Sequence, residues 1–316
     1  MRLEISEQNL YADCFEGILA CVAIYLNRRY EWMYLNEWKF RFEPPPNGTR
    51  YRLGLALDLY RNKVGPLVKY HGICYRQYPC ENFEKLRDIL AVKLAEKMPI
   101  TVRADAYYCP WDKSYMKYHN PNHIFLINGL QKETGFLFCS DPFYQEWDRL
   151  VSPDEFVTFY AGQYGVFEVT EDVSPLTDGV RIFQTMLESL YVDETFAAIR
   201  RLAEAVNMAD FMQEIKTDTD IWFSPVYRRM IEIANSRGRL LRLITFVAEQ
   251  YDQPELLFTL PLLEEIGKEW QQIRSLTLKL LMTCNRIFQD RLAYKIKNTA
   301  EMEEKAVITL LNILGG

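Results

Sequence analysis

Asp13-Cys14 stands at the start of an apolar stretch with helical period. Much further along the chain His123 opens the run His123-Ile124-Phe125-Leu126-Ile127, and Asp141-Pro142 closes the next apolar segment. Cysteine, histidine and aspartate in that order can perform covalent acyl chemistry. A thiol is a strong nucleophile only as thiolate, and a helix N-terminus with an imidazole nearby brings a thiol from about 8.5 down to roughly 3.5–7.5. Gln8 precedes Cys14 by a short loop that can return its amide toward the sulfur as an oxyanion donor. The same cysteine also has a plainer reading. Cys14, Ile18, Cys21, Val22 and Tyr25 share one helical face, so Cys14 could be one more small core residue.

His123 competes with His119 for the role of base. A base must sit on a rigid element within reach of the thiol. His123 abuts a strand, whereas His119 lies in the turn-like His119-Asn120-Pro121, which favours His123 and leaves His119 as a substrate contact. Asp141 ends the following strand, and pairing of the two strands as a hairpin would bring its carboxylate to the imidazole as an orienter. Alone, Asp-Pro is an ordinary turn. Tyr108 and Trp111, in the aromatic segment leading to His123, can wall a substrate channel or simply pack as a loop. Cys109, His119, His123 and Cys139 admit a zinc reading, but no second paired-cysteine motif supports it, and no metal or other cofactor is expected.

These residues need elements to place them. Asp13 as N-cap with Glu16 three residues on predicts a capping box and a helix to about Leu26. Leu53–Tyr60 reads as helix, Val68–Tyr75 as strand and Glu81–Lys97 as amphipathic helix. Strands are expected over Pro99–Tyr107, His123–Ile127, Phe136–Cys139 and Gly165–Val169, with Asn128–Gly135 as a hairpin connection. Past Pro175 the period is helical throughout: Val180–Tyr191, Asp193–Lys216, Pro225–Tyr251, Leu262–Ile296 and Ala300–Leu314, the last preceded by Asn298-Thr299 as a start signal. The expected fold class is α+β, with an α/β domain over 1–172 followed by an all-α bundle over 173–316.

With 316 residues, 49% of them hydrophobic, the chain can bury a substantial core. The net charge of −6 and the lack of a basic stretch interleaved with aromatics argue against a nucleic-acid partner. The first residues have no apolar signal core and no run reaches membrane-spanning length, so a cytoplasmic protein without a membrane partner is expected. Seven cysteines without a CxxC pair suggest no disulfide framework.

Taken together, Gln8, Asp13-Cys14, His123-Ile-Phe-Leu-Ile-Asn-Gly129 and Phe138-Cys-Ser-Asp141-Pro142 resemble the papain-like cysteine peptidase superfamily. Tyr11 to Phe42 and Ile100 to Phe143, with Asp105-Ala-Tyr-Tyr108 and Pro110-Trp111, look more closely like the butirosin biosynthesis protein H family of secondary-metabolite clusters. The resemblance covers the first half of the chain by residues and the second half by architecture. It implies a papain-like domain and an acyltransferase or cyclase that accepts an acyl group from an acyl or peptidyl carrier protein and passes it to a small-molecule amine in non-ribosomal peptide, polyketide or aminoglycoside-type biosynthesis. In that scheme Cys14 takes the acyl group from the phosphopantetheine thioester, His123 moves protons, Asp141 orients it and Gln8 helps to hold the oxyanion. The sequence departs from the pattern at Phe15, where leader peptidases carry glycine, and at Asp13, where butirosin-type proteins often carry histidine. Thioesterase or peptidase activity from the same triad, and a non-catalytic scaffold that docks carrier proteins, are the alternatives. The C-terminal helices would supply a homodimer interface or cover the site.

Overall fold

The computed structural model describes residues 1–5, 13–44, 52–59, 62–170, 178–215 and 221–315. In chain order its elements are α1 (Cys14–Tyr25), β1 (Phe40–Phe42), α2 (Leu53–Ala56), β2 (Leu57–Leu59), α3 (Val64–His71), β3 (Ile73–Pro79), α4 (Phe83–Ala95), β4 (Ile100–Ala104), β5 (His123–Leu130), β6 (Leu137–Asp141), β7 (Glu146–Val151), α5 (Pro153–Phe159) and β8 (Tyr160–Val169). Then follow α6 (Gly179–Val192), α7 (Thr195–Met208), α8 (Phe211–Ile215), α9 (Pro225–Gln250), α10 (Leu260–Thr283) and α11 (Arg286–Gly315).

The chain forms two compact units, one of Met1–Trp32 with Lys63–Ser174 and the other of Met33–Asn62 with Pro175–Gly316. The single division at 172/173 expected from the sequence is thus replaced by an early excursion into the helical unit, and that boundary itself lies outside the described residues. The excursion has a packing reason. Phe40 and Phe42 are buried strand residues, and the Phe40 ring lies 6.4 Å from that of Trp270.

The first unit is built on a six-stranded antiparallel sheet ordered β3-β8-β4-β5-β6-β7. Alternation places Ile100, Val102 and Ala104 of β4 and Phe125 and Ile127 of β5 in its core, against Leu86, Leu90 and Leu94 at four-residue spacing on α4 and Phe156 and Phe159 of α5. The expected strand over Val68–Tyr75 is in fact the end of α3 followed by the start of β3. Gly72 at φ 68° caps the helix, its N–H reaching Val68 O at 3.0 Å, so the β-branched residues are overruled by a left-handed stop. The expected helix over Leu53–Tyr60 is only one turn, α2, before β2 pairs with β1. Two further elements carried readable signals. Ser152-Pro153 caps α5, with Ser152 Oγ accepting from Glu155 N–H at 3.2 Å, and β7 extends the hairpin series.

The strand β5 runs three residues past the expected end, because it contains a bulge. Leu126 pairs with Ser140 and Ile127 with Cys139, but Gly129 pairs with Phe138, leaving Asn128 as the extra residue. Asn128 is fully buried. Its amide donates to Leu3 O at 2.9 Å and Asp148 Oδ1 at 2.6 Å, and its oxygen accepts from Ser140 Oγ at 3.1 Å.

The second unit packs α9, α10, α11 and α7 together, with the β1–β2 ribbon against α7. Its centre is an ionic knot. Glu303, wholly buried, accepts from Trp38 Nε1 (3.0 Å), Trp270 Nε1 (2.5 Å), and Arg237 Nε (2.7 Å) and Nη2 (2.8 Å). Every bond here is charge-assisted, as a buried ion pair requires. The last two helices divide at Cys284 (φ 49°), where Asn285 Oδ1 caps Ile287 N–H at 2.9 Å, instead of at Asn298-Thr299. Thr299 lies inside α11, its hydroxyl turned back to Lys295 O at 2.8 Å. Likewise Asp193–Lys216 is broken after Met208, and Asp210 Oδ1 caps Met212 N–H at 3.1 Å. Among the described residues no helix is long and apolar enough to cross a membrane.

Asn128→Ala removes two buried hydrogen bonds, to Leu3 O and from Ser140 Oγ, and a part-buried one to Asp148. It is expected to destabilise the first unit by about 3 kcal/mol in urea unfolding and to slow alkylation of Cys14, because the bulge sets which face Asp141 occupies. Wild-type stability and wild-type thiol reactivity together in that variant would contradict this account.

Candidate active site

Cys14 is the first residue of α1. Asp13 caps the helix, Oδ1 accepting from Glu16 N–H at 2.7 Å. The helix start leaves the Cys14 and Phe15 N–H groups without acceptors inside α1, and the aligned dipole adds positive character there. Lys63 bridges the two acids behind the thiol, at 2.8 Å from Asp13 Oδ2 and 3.0 Å from Glu16 Oε2, so the Glu16 side chain turns to an ammonium. The Phe15 ring lies 4.9 Å from Tyr75, whose hydroxyl pairs with Thr101 Oγ1 at 2.8 Å and accepts from Gln77 at 3.0 Å. Burial, with a contribution from the charge of Cys14, raises the Tyr75 phenol.

His123 begins β5 opposite Ala104 of β4, and its side chain is 4% exposed. Its Nε2 meets Asp141 Oδ2 at 2.6 Å, and the Cys14 thiol also acts on its ionisation. With Nε2 committed to Asp141, Nδ1 is the ring nitrogen left to serve a thiol. Burial opposes the charged imidazole, but the hydrogen bonds and charges of Asp141 and Cys14 prevail and hold His123 up at about 10. Asp141 is 1% exposed and fixed on both oxygens: Trp111 Nε1 donates to Oδ2 at 2.9 Å and Phe143 N–H to Oδ1 at 3.2 Å.

The structure therefore brings Cys14, His123 and Asp141 together. Gln8 lies outside the described residues. Of the three expected substrate contacts, Trp111 instead holds Asp141, its ring packed edge-on against Phe125 and Phe159 with Arg149 5.1 Å above it. His119, 62% exposed, pairs through Nδ1 with Asp105 at 2.6 Å and stacks on Tyr107 at 4.3 Å, so it serves the loop's geometry. Tyr108 is 39% exposed beside them, its ring edge-on to Tyr107.

Two groups were missed in the sequence. Asp112, its side chain 2% exposed, puts Oδ2 3.7 Å from His123 Nδ1 and accepts from Ser114 N–H at 2.7 Å. Tyr144 lies beside the imidazole, its ring 5.7 Å from that of His123; burial and the Asp112 charge raise its phenol. The only sequence signal was that Asp112 follows Trp111 directly. Burial pushes the Cys109 and Cys139 thiols far up; the charges of Asp112 and Asp141 add to the effect at Cys109, and those of Cys109 and Glu155 at Cys139. Neither is suited to act as a thiolate. For the zinc reading, no group of three or more His, Cys, Asp and Glu among the described residues is placed to hold a metal.

No protein-family model and no curated protein matches the sequence. Among solved structures the chain is similar to the N-terminal peptidase C39 like domain of the toxin secretion ATP-binding protein from Vibrio parahaemolyticus. The identity is 12% and the TM-score 0.31, over 51% of this chain and 100% of that one. A likeness at that level assigns neither family nor activity.

His123 holds its proton to about pH 10 in the folded chain, against an ordinary value of 6.5. Its contribution to stability is thus fully present below about pH 6.5 and is lost as pH rises through about 10. Wild type should lose more of its urea midpoint between those limits than His123→Gln, in which the raised phenol and thiols titrate unchanged. Equal losses would show that His123 is not held as an imidazolium.

Proposed function

We propose that the protein is a cysteine-dependent acyl-transfer enzyme with Cys14 as nucleophile, His123 as proton carrier and Asp141 as orienter, on a papain-like domain. The observation that carries this reading is the buried imidazole bonded through Nε2 to a buried carboxylate, its other nitrogen left over, with a thiol at a helix start acting on its ionisation. That arrangement fits an ion-paired nucleophile, which attacks a carbonyl without a prior proton transfer. The Cys14 sulfur bonds to the acyl carbon, and the oxyanion meets the free N–H at the start of α1, with Gln8 as a further donor. As the C–S bond of a donor thioester breaks, the Nδ1 proton passes to the departing sulfur. Attack by an amine on the acyl-enzyme then forms the amide, releases Cys14 as thiolate and sheds one proton from nitrogen.

The finer assignments are supported by the residues shared in type and order with butirosin-type acyltransferases. The donor is an acyl group on the phosphopantetheine of a carrier protein, the acceptor a small-molecule amine, and the setting natural-product or antibiotic biosynthesis. Thioester exchange onto Cys14 replaces one thioester by another, so acylation is close to balanced and the direction comes from amide formation.

Iodoacetamide at about pH 6 should label Cys14 at least tenfold faster than any other cysteine, by intact mass and peptide mapping, and the advantage should vanish in His123→Ala. Incubation with acetyl-N-acetylcysteamine should then add one acetyl group at Cys14, transferable to added amines. Labelling of Cys14 no faster than the other cysteines would sink the catalytic reading in favour of a carrier-docking scaffold, and release only to water would make the enzyme a thioesterase.

A further inference from the structure

The triad uses one carboxylate, yet the imidazole has two. Asp141 takes Nε2, and Asp112, on the loop before β5, stands 3.7 Å from Nδ1 with its side chain 2% exposed. That distance is too long for a hydrogen bond and short enough for a strong Coulomb attraction in a water-poor setting. Asp112 is fixed by the Ser114 N–H, which donates to Oδ1 at 2.7 Å, and its charge acts on the neighbouring Tyr144 phenol. Among the described residues, the other ionisable groups shown to act on or lie beside His123 are Cys14 on α1, Asp141 on β6 and Tyr144 in the turn after β6.

In the resting enzyme the thiol's charge helps to keep the imidazole protonated. Acylation removes that charge and hands the Nδ1 proton to the leaving sulfur. An imidazole left neutral at that moment would be a general base for water, and the acyl group would be hydrolysed. We propose that Asp112 is a positioning residue that draws a solvent proton back onto Nδ1 of the acyl-enzyme and so directs the acyl group to a free amine in preference to water. This rests on the acyl-transfer reading above.

The balance of the step favours that outcome. Water attacks a thioester productively only as it gives up a proton to a base, and a protonated His123 cannot accept one. A free amine attacks through its lone pair unaided. The tetrahedral intermediate expels Cys14 as thiolate toward the imidazolium already in place, and nitrogen releases its surplus proton to solvent. One proton is taken from solvent and one returned, so the cycle closes without a further reactant. The acceptor class implied is an amine that is appreciably unprotonated at working pH.

Two measurements test this on the full chain. With acetyl-N-acetylcysteamine and glycinamide, Asp112→Asn should keep the acylation burst but lower the amide-to-acetate product ratio at least tenfold, and Asp112→Glu should restore part of it. An unchanged ratio with the burst intact overturns the proposal and leaves the acyl-transfer reading standing. In the Cys14→Ala background, where the thiol's charge is absent as in the acyl-enzyme, adding Asp112→Asn should lower the NMR titration midpoint of His123 by at least one pH unit. A midpoint that does not move overturns the role of Asp112 whatever the substrate proves to be. Failure of the wild type to acylate at all would instead strike the acyl-transfer reading.

Discussion

Register in the β5–β6 hairpin decides whether this molecule has a site. Near the turn, Gly129 faces Phe138 and Leu130 faces Leu137; past the bulge, Leu126 faces Ser140. Carried one residue further, the second register puts Asp141 opposite Phe125, on the face that His123 shares and diagonal to it, within reach of a side-chain hydrogen bond. The first register, continued unbroken, would put Asp141 opposite Leu126 and thus on the other face of the sheet. One extra residue separates the two cases. Asn128 stabilises it by joining the N-terminal segment at Leu3, Ser140 of β6 and Asp148 of β7. Gly129 beside it admits no side chain, since a Cβ would lie 2.7 Å from the Phe138 ring and 2.9 Å from Met1 O.

Charge is distributed around the imidazole with the same economy. Two buried carboxylates and a thiol face one ring, which burial alone would leave neutral. Two acids also stand beside Cys14, Asp13 as the cap of α1 and Glu16 in its first turn, where their charges would oppose a thiolate. Lys63 bridges both carboxylates from a position that is itself nearly buried, offsetting one of the two charges beside the helix start. The Asp141 charge that holds a proton on His123 also raises Cys109, on which burial and Asp112 act more strongly.

What could be read in the sequence was local. The Asp13 cap, the helix face from Cys14 to Tyr25 and the apolar runs from His123 and Phe136 depend on periodicity and on side chains within three or four residues, so α1, β5 and β6 were legible. The bulge was not, because Asn128-Gly129 has the composition of a turn and nothing nearby reports that Leu3 and Asp148 will satisfy the buried amide. Asp112 was hidden for a related reason: an acid in a polar aromatic loop looks solvated until the fold buries it. In the second half, periodicity found helical character correctly but misplaced its interruptions. Asn285 and Asp210 cap helices with the same chemistry that Asn298-Thr299 offers, and only packing selects among them.

The loop before β5 connects these points. Asp105 ties its two ends, accepting from Tyr107 N–H at 3.1 Å and Asn120 N–H at 2.8 Å while pairing with His119. The hydrogen bonds within this exposed cluster hold the Asp105 carboxyl low despite the opposing effect of burial. Between the tied ends, consecutive residues reach opposite sides of the imidazole: the Trp111 indole fixes the carboxylate on Nε2, and Asp112 stands by Nδ1. His119, although mostly exposed, therefore acts on the site through the loop's closure. A loop that carries two groups in adjacent positions beside one ring cannot adjust one without displacing the other, and its closure is secured by a side-chain hydrogen bond, two backbone hydrogen bonds and a stacked tyrosine.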